Sequence, residues 1–320
     1  MERWQARKVV IVGAGAVGST FAYALAQSGV ADEIVLTDMD QNLAQGQVMD
    51  LSHGLPYYPN VQIRQSIPQD YQDAHVIVIT AGSKQRPGES RLDLISRNAK
   101  IIENIMDGIT AQDSQAVVVV VSNPVDILTY VAQKRVNWPR GRVIGSGTVL
   151  DSARLRYLLS QHCGVDVHNV HAYILGEHGD SEFAAWSMSH IAGLRMNDYC
   201  QLCGKCEDWH EARSKIEENV RTSAYHIIDY KGATYFAIGQ ALVRIVSSIV
   251  RNEKSVLSVS TMLDGEFGLS DVSLGVPAMV GEAGVERVLT LSLPPAEQSA
   301  LRRSADVLKE AIAHLRRNNP

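Results

Sequence analysis

Short, nearly continuous apolar runs recur through the first half of the sequence. They are rich in β-branched residues and cover residues 8–12, 33–37, 75–80 and 116–121. A strand that is buried on both faces has this composition, and parallel sheets bury both faces of their strands. The runs therefore predict the strands of a parallel sheet.

Longer segments with helical spacing separate these runs. Residues 19–29 form one such segment and residues 91–106 form another. In the second segment one helical stripe holds Leu92, Ile95, Ala99, Ile102 and Met106. Strand and helix in alternation predict a doubly wound α/β unit.

The pattern changes after residues 141–147. It predicts helices at 150–161, 209–230 and 234–250. Strand-like segments are predicted at 171–175, 256–263 and 272–279. A closing helix would place on one face Leu301, Ala305, Leu308, Ile312 and Leu315. This mixture predicts a second α/β (α+β) unit over 146–320, after a first unit over 1–145. No flexible linker marks the boundary near Gly145, so we expect the two units to pack tightly.

Composition and charge exclude some classes of function. The net charge of -5 argues against a nucleic-acid partner, which normally requires a basic face. The first apolar run is too short for a secretory signal, and no apolar stretch approaches the length of a membrane span. We therefore expect a cytoplasmic protein with no membrane partner.

Three of the four cysteines are closely spaced. Cys200, Cys203 and Cys206 form CxxCxxC, and His210 follows, whereas Cys163 stands apart. The spacing could serve a metal ion, or it could be a loop with incidental thiols. Because no second CxxC pair completes a set of four ligands, we expect free thiols and no metal.

A glycine-rich turn follows the first predicted strand. Gly13, Gly15 and Gly18 form GxGxxG at the start of a predicted helix, and Asp38 follows the second strand, twenty residues after Gly18. This order is typical of a dinucleotide site, in which the pyrophosphate lies at the helix N-terminus. A carboxylate that faces the adenosine ribose favours NAD over NADP, although an FAD-binding version is a rival.

The segment GEHGDSE, residues 176–182, carries a candidate acid–base group. Its His178 lies in a glycine-flanked loop, and the segment LDSARLR, residues 150–156, supplies possible partners. Asp151 and Arg154 are three residues apart and would share a helix face. Asp151 could orient the imidazole and stabilise its protonated form, and Arg154 could bind a carboxylate through its planar guanidinium.

A second candidate arginine lies in AGSKQRPGESRLDL, residues 81–94. This segment follows a predicted strand, and its composition is that of a mobile loop. Closure of such a loop would bring Arg91 to a substrate carbonyl and exclude water.

Six separated motifs carry a resemblance to a known family. They are GAGAVGS, AGSKQRPGESR, SNPVD, GSGTVLDSARLR, GEHGDSE and KGATYFAIG. With these motifs in this order, the sequence resembles the L-lactate/malate dehydrogenase family, and within it the bacterial L-lactate dehydrogenases. The resemblance covers nearly the whole chain and implies a Rossmann domain followed by a mixed α/β substrate domain.

The resemblance also implies roles for individual residues. His178 would exchange a proton with the substrate, with Asp151 as its partner. Arg91 would polarise the reacting carbonyl, and Arg154 would bind the substrate carboxylate. Further implied contacts are Asn123 with substrate and cofactor, Thr234 with substrate, Ile238 with the nicotinamide, and Gly13, Gly15, Val17, Gly18 and Asp38 with the rest of NAD.

Within the family, the loop position of Gln85 separates two activities. Malate dehydrogenases usually carry Arg there, which pairs with the second carboxylate of oxaloacetate. The neutral Gln85 therefore favours pyruvate and lactate, although the adjacent Arg86 could offer its charge to a dicarboxylate. Malate dehydrogenase and a non-catalytic NAD-binding protein are the alternative hypotheses.

Two basic residues suggest an effector site. Arg156 and His171 match positions that bind fructose 1,6-bisphosphate in allosteric bacterial members of the family, although both could be ordinary surface residues. If they act in this way, the site would join subunits of a homotetramer across a two-fold axis.

Overall fold

The structure is a computed structural model that describes residues 6–83, 88, 91–205, 208–290 and 292–318. The first half contains β1 (Lys8–Val12), α1 (Ala16–Ser28), β2 (Glu33–Thr37), α2 (Gln41–His53), β3 (Gln62–Gln65), β4 (Val76–Ile79), α3 (Arg91–Thr110), β5 (Val117–Val120), α4 (Val125–Arg135) and β6 (Val143–Gly145).

The second half contains more short strands and longer helices. Its elements are α5 (Val149–Cys163), β7 (Val170–His171), β8 (Ile174–Leu175), β9 (Phe183–Ala184), β10 (His190–Ile191), β11 (Leu194–Arg195), α6 (Met196–Cys203), α7 (Trp209–Lys231), α8 (Phe236–Val250), β12 (Ser255–Asp264), β13 (Ser270–Gly281), β14 (Gly284–Val288) and α9 (Pro295–Asn318). No helix within the described ranges is both long and apolar enough to cross a bilayer.

The first-half strands form a parallel sheet in the order β3-β2-β1-β4-β5-β6. This is the strand order of a Rossmann fold, so the predicted fold class is confirmed. Alternate residues of β1 enter different cores: Val10 packs with α3 on one face, and Ile11 packs with α1 on the other. Burial on both faces explains why the strand sequences are almost entirely apolar.

The same sheet continues into the second half of the chain. Strand β12 pairs antiparallel with β6 at Ser260 and Gly145, and β13 and β14 extend the sheet beyond it. The two cores that cover the sheet also contain residues of both halves, for example Ile102 with Leu308, and Ile11 with Leu242. The two halves are thus joined through one sheet, in agreement with the tight packing expected from the sequence.

Three sequence-based expectations about elements need correction. The segment 171–175 is not one strand, because β7 pairs with β10 whereas β8 pairs with β9. Helix α8 begins at Phe236 rather than at residue 234. In the predicted stripe of α3, Leu92 is 38% exposed, because contact with the core begins one turn later, at Ile95.

The β1–α1 turn is shaped by two close backbone approaches. Gly13 has φ +109°, and a Cβ there would lie 2.7 Å from the Ala81 nitrogen. A Cβ on Gly18 would lie 1.9 Å from the carbonyl oxygen of Gly13. At Gly15, by contrast, an added Cβ meets nothing within 4 Å. The turn is therefore closed at Gly13 and Gly18 but open beside Gly15.

Replacement of Gly18 by Ala should destabilise the apoprotein because the new methyl group overlaps backbone. We expect a loss of about 1–3 kcal/mol, measured as a lower urea midpoint. The matched variant Gly15→Ala introduces the same methyl group into open space, so its loss should stay below about 1 kcal/mol. Equal losses in the two variants would contradict this account of the turn.

Candidate active site

The open side of the β1–α1 turn fits a dinucleotide. Gly15 is the N-cap of α1 and provides no side-chain hydrogen bond to the first turn, so the backbone N–H groups there can receive a phosphate. The Asp38 carboxylate accepts a hydrogen bond from the Ala14 N–H at 2.7 Å. It thus lies against the glycine turn, where ribose hydroxyls could reach its remaining lone pairs.

Helix α8 brings a predicted nicotinamide contact to the same region. It packs against α1, and a Cβ on Gly239 would lie 3.1 Å from Thr20 Cγ2. Ile238 and Val17 are both partly buried at the edge of the core beside β1. Thr234 lies in the segment between α7 and α8, and it is not among the described residues that line the substrate cavity discussed next.

A cavity of about 290 Å³ brings four predicted site residues together. They come from different elements: Asn123 precedes α4, Asp151 and Arg154 lie on α5, and His178 follows β8. The remaining described lining residues are Leu94, Ile95, Pro124, Gly179, Asp180, Glu182, Arg221, Ala224 and Tyr225. We call this space the substrate cavity.

The centre of the substrate cavity holds three charged side chains that are linked by hydrogen bonds. His178 Nδ1 lies 2.6 Å from Asp151 Oδ2, and Arg154 Nη1 donates to Asp151 Oδ1 at 2.7 Å. The Asp151 side chain is only 2% exposed, whereas His178 retains 27% exposure. One buried carboxylate therefore holds both the imidazole and the guanidinium.

The charges of these three side chains shift the pKa values of His178 and Asp151. The negative charge of Asp151 raises the pKa of His178 to about 9, against the opposing effect of burial. Although burial alone would raise the pKa of Asp151, the His178 and Arg154 charges hold it below its usual range. At neutral pH His178 is therefore an imidazolium. Its Nδ1–H is directed at Asp151, and the second ring nitrogen, Nε2, carries a proton that can be donated.

Asp126 is a site residue that the sequence reasoning missed. It lies in the first turn of α4, is 1% exposed, and accepts the backbone N–H of His178 at 2.7 Å. Burial raises the pKa of Asp126 to about 6. The SNPVD motif, already singled out for Asn123, contains Asp126, but nothing in the local pattern indicates that its carboxylate is buried.

Glu182 is a second residue that was missed. It is 5% exposed and lines the substrate cavity, and one donor atom from each of Asp151, His178 and Glu182 lies within 4.8 Å of the other two. Three such donors can suit a metal ion. Here, however, His178 Nδ1 is already engaged by Asp151, and the nearby Arg154 charge disfavours a second cation.

The predicted loop residues lie at the margin of what the structure describes. Gln85 and Arg86 are outside the described residues. Arg91 begins α3, and the next turn of that helix contributes Leu94 and Ile95 to the substrate cavity. The start of α3 is thus near the cavity. The function of Arg91 and the specificity role of Gln85 stay predictions.

The described cysteines are either buried in a third hydrophobic cluster of the second half or partly exposed. Cys163 and Cys200 are buried in the cluster that joins α5, α6 and α7, and Cys203 is partly exposed. Among the described residues these thiols form no cluster of three metal-binding donors. Cys206 lies outside the described residues.

Arg156 and His171 line a different cavity, of about 470 Å³. Arg156 Nε donates to the Val170 carbonyl at 2.8 Å, which holds the guanidinium beside β7. His171 is exposed on that strand, and Tyr173 and Arg244 also line the cavity. Helix α5 therefore presents Arg154 to one cavity and Arg156 to another.

Comparison with known proteins gives two family matches that together cover nearly the whole chain. Residues 7–145 match the lactate/malate dehydrogenase NAD-binding domain, and residues 148–318 match the lactate/malate dehydrogenase alpha/beta C-terminal domain.

Individual relatives and solved structures agree with these matches. The L-lactate dehydrogenase of Treponema denticola is 60% identical over 310 residues, covering 97% of this chain and 98% of the relative. That of Acetivibrio thermocellus is 50% identical, covering 97% of each chain. The ligand-bound minor L-lactate dehydrogenase of Enterococcus mundtii superposes with a TM-score of 0.93 at 42% identity, over 96% of this chain and 98% of that one.

The matches agree with the fold and with the open glycine turn, which suits the dinucleotide that the first matched domain binds. The chain therefore belongs to the lactate/malate dehydrogenase family and is an NAD-dependent dehydrogenase.

Proposed function

We propose that the chain is an L-lactate dehydrogenase, which interconverts pyruvate and L-lactate with NAD. One observation carries the proposal: the His178–Asp151 pair and Arg154 line a single small cavity, so that a proton donor stands beside a carboxylate-binding group. Relatives at 50–60% identity carry the same name. In this proposal residues 1–145 form the NAD-binding domain, and residues 146–320 form the substrate domain that carries His178, Asp151 and Arg154.

The side chains of the substrate cavity fit this reaction. Bound NADH would supply the hydride to the keto carbon. Arg154 holds the substrate carboxylate by its planar fork, and Asn123 and Arg91 contact the reacting oxygen. His178, charged at neutral pH, donates its proton to that oxygen, and Asp151 stabilises the charged imidazole and fixes its orientation. In lactate oxidation the neutral imidazole accepts the proton instead.

The preference for pyruvate over oxaloacetate rests on Gln85. A second substrate carboxylate beside a neutral amide would be buried without a matching charge, which costs several kcal/mol. The small methyl group of pyruvate has no such requirement. Malate dehydrogenase is the alternative within the family.

We further propose that fructose 1,6-bisphosphate binds at Arg156 and His171 and activates a homotetramer. The support is that both side chains line the same cavity, apart from the substrate cavity, and that this cavity is large enough for a small phosphorylated ligand. Two-fold symmetry would bring a second copy of both residues to the ligand.

The activity itself is tested by NADH oxidation with pyruvate and with oxaloacetate in parallel. Wild type should prefer pyruvate in kcat/KM, and Gln85→Arg should shift the preference towards oxaloacetate by roughly 10²–10³-fold. Arg86→Gln is the matched control and should keep the wild-type preference. Equal use of the two keto acids by wild type would contradict the lactate assignment, and no activity with either would indicate a non-catalytic NAD-binding protein.

The charge on His178 predicts a pH profile for pyruvate reduction. Since the protonated form is the active one, kcat/KM should stay level below pH 9 and fall above it. Asp151→Asn removes the charge that raises the pKa, so at pH 8 activity should fall by about 30-fold from loss of protonation alone. The control is Asp166→Asn, since Asp166 forms a similar 2.7 Å pair with His168 at the surface. An unshifted profile in Asp151→Asn would refute the role of this pair.

The effector site predicts a response of the pyruvate saturation curve. Fructose 1,6-bisphosphate should lower the half-saturating pyruvate concentration by at least about fivefold, and Arg156→Gln and His171→Gln should each abolish that response. His168→Gln serves as a surface control that keeps it. If the bisphosphate changes neither the saturation curve nor the size of the oligomer in sedimentation, the effector hypothesis is wrong.

A further inference from the structure

Glu182 is a buried carboxyl group that the proposed mechanism does not use. It stands between the substrate cavity and a second cavity of about 410 Å³, and it lines both. With 5% exposure it is almost removed from water. Among the described residues, no group donates a hydrogen bond to its carboxyl oxygens. An ionised carboxylate in such surroundings is costly.

The groups that face Glu182 from the substrate cavity do not offset this cost. Asp151 lies within 4.8 Å and repels a second negative charge. Three described cations that line this cavity have other partners: Arg154 and His178 bind Asp151, and Arg221 donates to Glu218 at 2.9 Å. Burial and Asp151 together raise the pKa of Glu182 to about 9, although His178, Arg154 and Arg221 oppose the rise.

The second cavity brings charges of both signs to the other side of Glu182. Helix α7 contributes Arg213 and Glu217, and α9 contributes Glu297 and Arg303. The Arg213 guanidinium stacks over Trp186, with its carbon 4.7 Å from the ring centroid, and Glu297 accepts hydrogen bonds from Ser187. Asp180, at the border of the two cavities, accepts from the Tyr225 hydroxyl. None of these contacts involves Glu182, and no ion pair joins its carboxyl group to a cation among the described residues.

The described charges in the centre of the substrate cavity add up to a single positive charge. Asp151 cancels one of the two cations Arg154 and His178, so one positive charge is left for one substrate carboxylate. Ionisation of Glu182 would remove that excess and would place a negative charge in the wall of the cavity. In a small buried space this would weaken the binding of an anion strongly.

We propose that Glu182 acts as a neutral carboxylic acid and thereby controls anion binding in the substrate cavity, because Arg154 and His178 then keep the positive charge that remains after they pair with Asp151. This inference rests on the proposed function, since it assumes a keto-acid anion on Arg154. It assigns Glu182 no proton transfer to substrate. At high pH, ionisation of Glu182 should therefore weaken the binding of anions in the substrate cavity.

The test measures the binding of oxamate, the amide analogue of pyruvate, to the NADH complex between pH 7 and 10.5. In wild type both His178 and Glu182 must be protonated, so the affinity should fall by up to about 100-fold per pH unit at the alkaline limit. In Glu182→Gln only His178 titrates, so the fall should be about tenfold per unit. Each curve is normalised to its own value at pH 7.

A matched control and a second readout separate this role from a structural one. Glu177→Gln changes another buried carboxyl in the same loop, which accepts from Ser181 and does not line the substrate cavity, and it should keep the wild-type slope. The infrared spectrum of the wild type at pH 7 should contain a protonated carboxyl band that Glu182→Gln lacks.

Failure of this inference can be told from failure of the proposed function. Equal slopes for wild type and Glu182→Gln, with oxamate bound normally at pH 7, overturn the neutral-acid role alone. The absence of the infrared band also overturns it. If wild type neither binds oxamate nor reduces pyruvate at any pH, the proposed function fails and this inference fails with it.

Discussion

The site depends on one buried charge, the carboxylate of Asp151. Its two oxygens bind His178 and Arg154 at 2.6 and 2.7 Å, so a single side chain fixes both the proposed proton donor and the proposed carboxylate-binding group. Because Asp151 is almost fully buried, its charge acts with little screening and keeps the imidazole protonated well above neutral pH. In the proposed mechanism, acid–base chemistry and anion binding are therefore coupled through one residue of α5.

The fold holds this charge in place from several directions. Helix α5 starts just after β6, at the junction where the parallel strands meet the antiparallel strands of the second half. His178 arrives on the loop after β8, and the carboxylate of Asp126 on α4 holds the backbone of that loop. Since α4 belongs to the first half and the loop to the second, Asp126 connects the first half directly to the loop that carries His178.

Several carboxyl groups surround His178 in quite different environments. Asp151 is stabilised as an anion by two cations, and Asp126 accepts a backbone N–H. Glu182 lacks both kinds of partner and is the group that we infer to be neutral. The environments, rather than the residue types, assign the roles, because burial and pairing move carboxyl pKa values in opposite directions.

The sequence by itself determined the large features of this protein. Continuous apolar runs identified the central strands, because strands buried on both faces tolerate little else. The GxGxxG motif predicted the β1–α1 turn, against which Asp38 lies. The spacing of Asp151 and Arg154 placed them on one helix face, and they do form an ion pair. The strand β3 escaped detection because it lies at the sheet edge and buries only Ile63.

Only the tertiary structure decided which polar residues are buried and what they meet. Glu182 lies in the motif that was chosen as a candidate for His178, and Asp126 lies in the motif that was chosen for Asn123. Yet Glu182 lines the cavity beside His178, and Asp126 accepts the backbone N–H of His178. Local sequence could not show this, because acidic side chains are usually exposed. Their surroundings come from helices and loops that are distant in the chain, and a polar group's environment is set by those contacts rather than by its neighbours in sequence.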